Sequence, residues 1–87
     1  MNVSPFRVTY HPGARKQLDK IEPRKIRGQI ARRIDALENN PMPDNAKKLS
    51  QPQGAFRLRQ GEYRIIYQVR ESQIVILQIG HRRDVYR

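Results

Sequence analysis

Hydrophobic and polar positions along this chain change period three times. Residues 6–10, Phe6-Arg-Val-Thr-Tyr10, alternate, with Phe6, Val8 and Tyr10 on one side, as in a half-buried strand. His11-Pro12-Gly13 breaks it. The period then lengthens. Ala14, Leu18 and Ile21 mark a first helix, and Pro23 ends it and suits the first turn of a second. The second helix is expected from about Pro23 to Asn39, with Ile26, Ile30, Ile34 and Leu37 as its apolar stripe. So short a connection predicts a helical hairpin. Residues 41–54 carry Pro41, Pro43 and Pro52 and little periodicity. They read as a connecting loop, with Ala46-Lys-Lys-Leu49 as a single turn.

Alternation returns in the last third. Ala55 to Arg59 places Phe56 and Leu58 on one side and Arg57 and Arg59 on the other. If Gln60-Gly61 forms the hairpin turn, Arg59 pairs with Glu62, Leu58 with Tyr63, Arg57 with Arg64 and Phe56 with Ile65. That register gathers Phe56, Leu58, Tyr63, Ile65 and Tyr67 on a core face and Arg57, Arg59, Glu62 and Arg64 on an open one. A one-residue slip would mix the sets. Glu71-Ser72 is the next turn, leading into Gln73–Ile79, a strand apolar on both faces and so expected to be flanked or covered. The same counting sets Ile79 opposite Arg64 and His81 opposite Glu62. The fold class is therefore α+β, with element order β-α-α-β-β-β: an antiparallel sheet with a helical hairpin packed on one face, in a single domain spanning residues 1–87.

Composition narrows the function. The 87 residues contain no cysteine, so disulfides, thiolate metal sites and thiol nucleophiles are excluded. Two histidines cannot by themselves form a typical zinc site, and no metal or cofactor is expected. No apolar run approaches the roughly 18 residues of a membrane span, and no signal-peptide core follows Met1; a soluble, cytoplasmic protein is the expectation. Eighteen Lys and Arg against eight Asp and Glu give a net charge of +10, which points to a polyanionic partner.

Arg57 facing Arg64 across two strands is unfavourable unless an anion lies between them, since like charges directly opposite repel. Two converging guanidiniums suit a phosphate; the alternative is a solvated ladder of side chains. Arg82, Arg83 and Arg87 extend the basic region, with Lys25 and Arg32 on the polar side of the second helix. Tyr86, set among arginines whose charge favours its phenolate, could serve as a base, stack on a nucleobase or pack on the sheet edge. His81 carries an imidazole that can move a proton, or can be a hydrogen-bonded surface residue. No paired carboxylates, glycine-rich phosphate loop or Ser-His-Asp arrangement is present. Arginine, tyrosine and histidine without a metal suit RNA cleavage by its own 2′-hydroxyl, a route DNA lacks.

The run Glu62-Tyr-Arg-Ile-Ile-Tyr-Gln-Val69, followed by Gly80-His-Arg-Arg-Asp-Val-Tyr-Arg87, resembles the C-terminal half of RelE-type toxins of the RelE/ParE superfamily. Phe6-Arg-Val-Thr-Tyr10 and the two basic helices are similar to the N-terminal half, so the resemblance covers nearly the whole chain. It implies the toxin of a type II toxin–antitoxin system: a ribosome-dependent endoribonuclease, or mRNA interferase, cutting mRNA in the A site and neutralised by a cognate antitoxin in a hetero-oligomer. By position, Arg64 would stabilise the phosphate, Arg82 the transition state or leaving group, and Tyr86 would be the general base. Arg57 and Arg59 would hold RNA. His81 stands where some members have lysine, so acid and base roles would be shared differently. Some members continue into a C-terminal helix that the antitoxin displaces, whereas this sequence ends one residue after Tyr86. Two other readings remain: a ParE-like inhibitor of DNA gyrase, and a non-catalytic RNA-binding module.

Overall fold

The computed structural model describes residues 5–85, with side chains described to Arg83. Strand β1 (Arg7–Tyr10) leads into helices α1 (Pro12–Asp19) and α2 (Arg24–Asp35), the latter followed by a 3-10 turn, Ala36–Glu38. Then come β2 (Lys47–Lys48), β3 (Ala55–Gln60), β4 (Tyr63–Arg70), β5 (Gln73–His81) and a short α3 (Arg82–Val85). The class is α+β as the sequence predicts, with five strands in the order β1-β5-β4-β3-β2.

Helix α1 starts two residues earlier than its apolar pattern shows. His11 is its N-cap, accepting the Gly13 N–H at Nδ1 (3.1 Å), and Pro12 takes the first turn, where no N–H is needed. The expected antiparallel sheet has one exception: β1 runs parallel to β5, because the two helices carry the chain over one face before the sheet resumes. The predicted turn at Ala46–Leu49 is instead part of an edge strand. Lys47 pairs with Arg57 and Lys48 with Phe56, and the Leu49 N–H donates to the Ala55 carbonyl (2.9 Å).

Leu18, Ile21, Ile30, Ile34 and Leu37 from the helical layer meet Leu58, Ile65, Tyr67, Ile74, Ile76 and Ile79 from the sheet in one core. Helix α1 lies chiefly on β5, and α2 reaches β3. Each fully buried aliphatic side chain contributes roughly 1.5–3 kcal/mol. Strand β5 is flanked by β1 and β4, as expected for a strand apolar on both faces. Where β1 ends opposite Ile76, the Gln17 side chain takes over, its Oε1 accepting the Ile79 N–H (2.8 Å). The outer side of β1 is met by Glu38, whose Oε2 accepts the Val8 N–H (2.9 Å).

Two registers differ from expectation. In the β3–β4 hairpin the loop is Gly61-Glu62, so Arg59 faces Arg64, Leu58 faces Ile65 and Arg57 faces Ile66. Gly61 at φ +59 occupies the first loop position, a backbone that glycine adopts without strain. The shift moves each partner by two, so the predicted faces survive. In the β4–β5 hairpin, Arg70 faces Gln73 as counted, but a bulge between Ile66 and Tyr67 leaves Leu77 without an opposite residue. Beyond it Arg64 faces Gly80 and Tyr63 faces His81. The extra residue returns Ile79 to the core side, which Gln78 would otherwise take.

Candidate functional site

Arg64 is the only charged side chain buried among the described residues, at 7% exposure. It lies on β4, the middle strand, on the face away from the helices. Arg59 flanks it on β3, and on β5 its neighbour is Gly80, which brings no side chain. The guanidinium is held below the ordinary arginine range, first by burial and then by the charges of Arg59, Arg57 and Arg82, with Glu62 opposing them. The expected pairing of Arg57 with Arg64 is thus replaced by Arg59 with Arg64, and Arg57 stays diagonal to it. The expected open position of Arg64 is also corrected: on the central strand its side chain is enclosed, even with Gly80 beside it.

Arg82 comes from the first position past β5. Its N–H donates to the Glu62 carbonyl (2.8 Å), and its Nε meets Glu62 Oε2 at 2.8 Å. The hairpin turn therefore holds Arg82 by both main chain and side chain. Arg83 is exposed. His81 points to the other face. Its ring meets Tyr63 edge-on (centroids 5.7 Å apart, 76°), and its Nδ1 accepts the Arg83 N–H (3.3 Å). It borders a hollow of about 420 Å³ with Ile26, Gln29 and Tyr63. The structure thus gathers Arg57, Arg59, Arg64 and Arg82, and separates His81 from them. Lys25 and Arg32 are exposed on α2, in the helical layer across the sheet from Arg64. Tyr86 and Arg87 lie outside the described residues.

The sequence reading missed two contributors. Lys47 and Asn45 line a concavity of about 440 Å³ with Arg57, Arg59 and Gly61. Asn45 is held there by Arg33, whose Nη2 donates to its Oδ1 (2.6 Å). A two-residue strand leaves no alternation to read, and only the doubled lysine marked it. Among the described residues, no group of three or more His, Asp or Glu is placed to hold a metal ion, and no helix is long and apolar enough to cross a membrane.

A small basic α+β domain with arginines converging on one sheet face is the class these features define, and comparison with known proteins gives it a family. Residues 8–86 match the family model for the ParE toxin of the type II toxin–antitoxin system parDE. Toxin RelG of Mycobacterium tuberculosis is 29% identical over 85 residues, covering 95% of this chain and 98% of the relative. The archaeal RelE–RelB complex of Pyrococcus horikoshii contains a chain with a TM-score of 0.80 at 28% identity, covering 93% of this protein and 99% of that chain. In the toxin–antitoxin complex RelBE2 of M. tuberculosis the values are 0.75 and 28%, covering 88% and 98%. The chain belongs to the RelE/ParE superfamily of type II toxin–antitoxin toxins, and it is of the RelE type.

Proposed function

We propose that this protein is an mRNA interferase: an endoribonuclease that cuts messenger RNA in the ribosomal A site and is held inactive by a cognate antitoxin. The observation that carries the reading is the buried Arg64 with Arg59, Arg57 and Arg82 around it, beside the bare backbone of Gly80. Guanidiniums fixed before the substrate arrives stabilise charge as it develops, without reorganising. In the proposed step the RNA 2′-oxygen attacks phosphorus while the bond to the 5′-oxygen breaks. The 2′-hydroxyl proton passes to Tyr86 as general base, and the departing 5′-oxygen takes a proton from water. The products are a 2′,3′-cyclic phosphate and a 5′-hydroxyl. Arg64 stabilises the pentavalent phosphate and Arg82 the leaving side. Arg57, Arg59 and Lys47 hold flanking phosphates. His81, turned to the other face, caps α3 rather than moving a proton.

The basic helices, with Lys25 and Arg32, would face ribosomal RNA, and the ribosome would supply the substrate geometry that an arginine site alone does not impose. The antitoxin partner, as a hetero-oligomer, is inferred from the RelE–RelB and RelBE2 complexes, and the cytoplasm is the compartment this activity requires. The family match to ParE supports a second reading, a protein-binding gyrase inhibitor with no nuclease site.

Primer extension on a defined mRNA carrying stalled ribosomes with an empty A site separates the two. Cuts within the A-site codon, absent without ribosomes and lost in Arg82→Ala, are expected. Intact mRNA together with inhibited gyrase supercoiling would replace the interferase reading with the second one. Tight RNA binding with neither effect would leave a binding module.

A further inference from the structure

Glu62 has no role in the scheme above, yet it makes two contacts with one of the proposed catalytic groups. It occupies the second position of the β3–β4 loop, facing the start of α3. Its carbonyl accepts the Arg82 N–H and its carboxylate meets Arg82 Nε, each at 2.8 Å. The side chains are 53% and 61% exposed. An ion pair that open contributes little to folding. Its effect is geometric.

A guanidinium offers five N–H donors in a planar fork. A carboxylate on Nε fixes the plane and leaves the two terminal nitrogens for a second anion, which they can bind bidentately. Arg57, Arg59 and Arg82 all raise the local positive potential at Arg64, and Glu62 is the acid that offsets it. Without that carboxylate, repulsion from Arg64 would swing the exposed Arg82 side chain outward. We propose that Glu62 is the positioning residue for Arg82, holding its Nε edge so that the terminal nitrogens meet the RNA phosphate.

The proposal rests on the interferase reading for its consequence in catalysis, but its geometry can be tested separately. Glu62→Ala removes the acceptor, and Glu62→Gln keeps an oxygen acceptor while removing the charge. In the ribosome assay at saturating protein, Glu62→Ala is expected to slow cleavage about 10-fold to 100-fold, the scale of a misplaced group. RNA binding should hold or tighten, since one negative charge is gone. Glu62→Gln should recover cleavage to within about threefold of wild type while binding as tightly as the alanine variant. A loss of rate without loss of binding, rescued by the neutral acceptor, is not what a structural lesion would give.

The second readout is the Arg82 Nε–H signal in ¹⁵N NMR of the free protein, followed during titration with an RNA carrying a 2′-deoxy nucleotide at the cleavage position. The signal should be present in wild type and Glu62→Gln, absent in Glu62→Ala, and unmoved by RNA. Wild-type cleavage by Glu62→Ala, failure of Glu62→Gln to rescue, or an Nε–H signal that moves as RNA displaces the carboxylate would each overturn the proposal. If wild type itself leaves mRNA intact, the interferase reading fails, and the NMR readout alone decides whether Glu62 orders Arg82.

Discussion

Replacing Tyr67 by phenylalanine isolates a single hydroxyl. Tyr67 is fully buried, and its OH donates to the Pro41 carbonyl at 2.7 Å, tying the centre of the sheet to the loop after α2. Phenylalanine retains the ring and its stacking on Phe56 (centroids 5.6 Å apart), so only the hydrogen bond is lost. A buried carbonyl left without its donor costs about 1–3 kcal/mol. In a domain of this size that lowers Tm by roughly 5–15 °C. Urea unfolding followed by far-ultraviolet circular dichroism should show an earlier midpoint at unchanged m. The pH dependence gives an independent check. Burial pushes the Tyr67 phenol up to about 12, with Arg33 pulling modestly the other way, whereas an unfolded tyrosine ionises near ~10. The folded state then binds more protons than the unfolded one between those values, so stability falls as pH rises through that window. The contribution is intact below pH ~10, and about 2–3 kcal/mol of it is gone by pH ~12. The variant lacks this loss, so the two stability curves should converge as pH rises from ~10 to ~12. A deficit under ~0.5 kcal/mol at neutral pH, with parallel curves in alkali, would mean that the hydroxyl is solvated and that the bond does not secure the loop.

Three further outcomes follow from particular residues. Gly54 sits at φ +80, and a Cβ at that position would fall 2.9 Å from the Val69 carbonyl oxygen, so Gly54→Ala should cost about 1–3 kcal/mol by chemical denaturation. The joint substitution Arg57→Gln, Arg59→Gln should leave the fold intact and reduce the slope of log affinity against log salt by about 1.4 for single-stranded RNA, read by fluorescence anisotropy. Arg82→Ala should lower A-site cleavage by about 10²–10³ in single-turnover primer extension, the usual loss for one preorganised donor, with the melting temperature little changed.

The periodic parts of the sequence disclosed most of the fold. Ile26, Ile30, Ile34 and Leu37 name the buried side of α2 and its 3-10 extension, of which Ile26 is only partly covered. The alternation from Ala55 to Tyr67 separates core from open face correctly, because a shift of two keeps parity. What it could not disclose is where the loop begins: Gln60-Gly61 and Gly61-Glu62 both suit a tight turn, and the choice rests on which position must adopt positive φ. The bulge at Leu77 was hidden for a related reason. In a strand apolar on both faces an inserted residue leaves no trace in the pattern, yet it decides that His81, and not Gly80, stands opposite Tyr63. The arginine cluster was legible as a cluster. The burial of Arg64 was not, since alternation reports the face a residue takes and not how deeply its neighbours enclose it. Nor does residue counting reveal that Glu62 meets Arg82, which depends on where α3 leaves the sheet.

The two margins of the sheet bear on how this protein behaves when many copies are present. An extended strand with free amide groups is a template on which another chain can grow a sheet. At one margin the Glu38 carboxylate occupies the Val8 N–H, setting a negative charge where an incoming strand would have to pair. At the other, β2 is only two residues long, and both are lysine. With a net charge of +10 keeping copies apart, neither margin offers a seed for fibre growth, so the protein should stay dispersed at concentrations where an uncovered sheet of this size would aggregate.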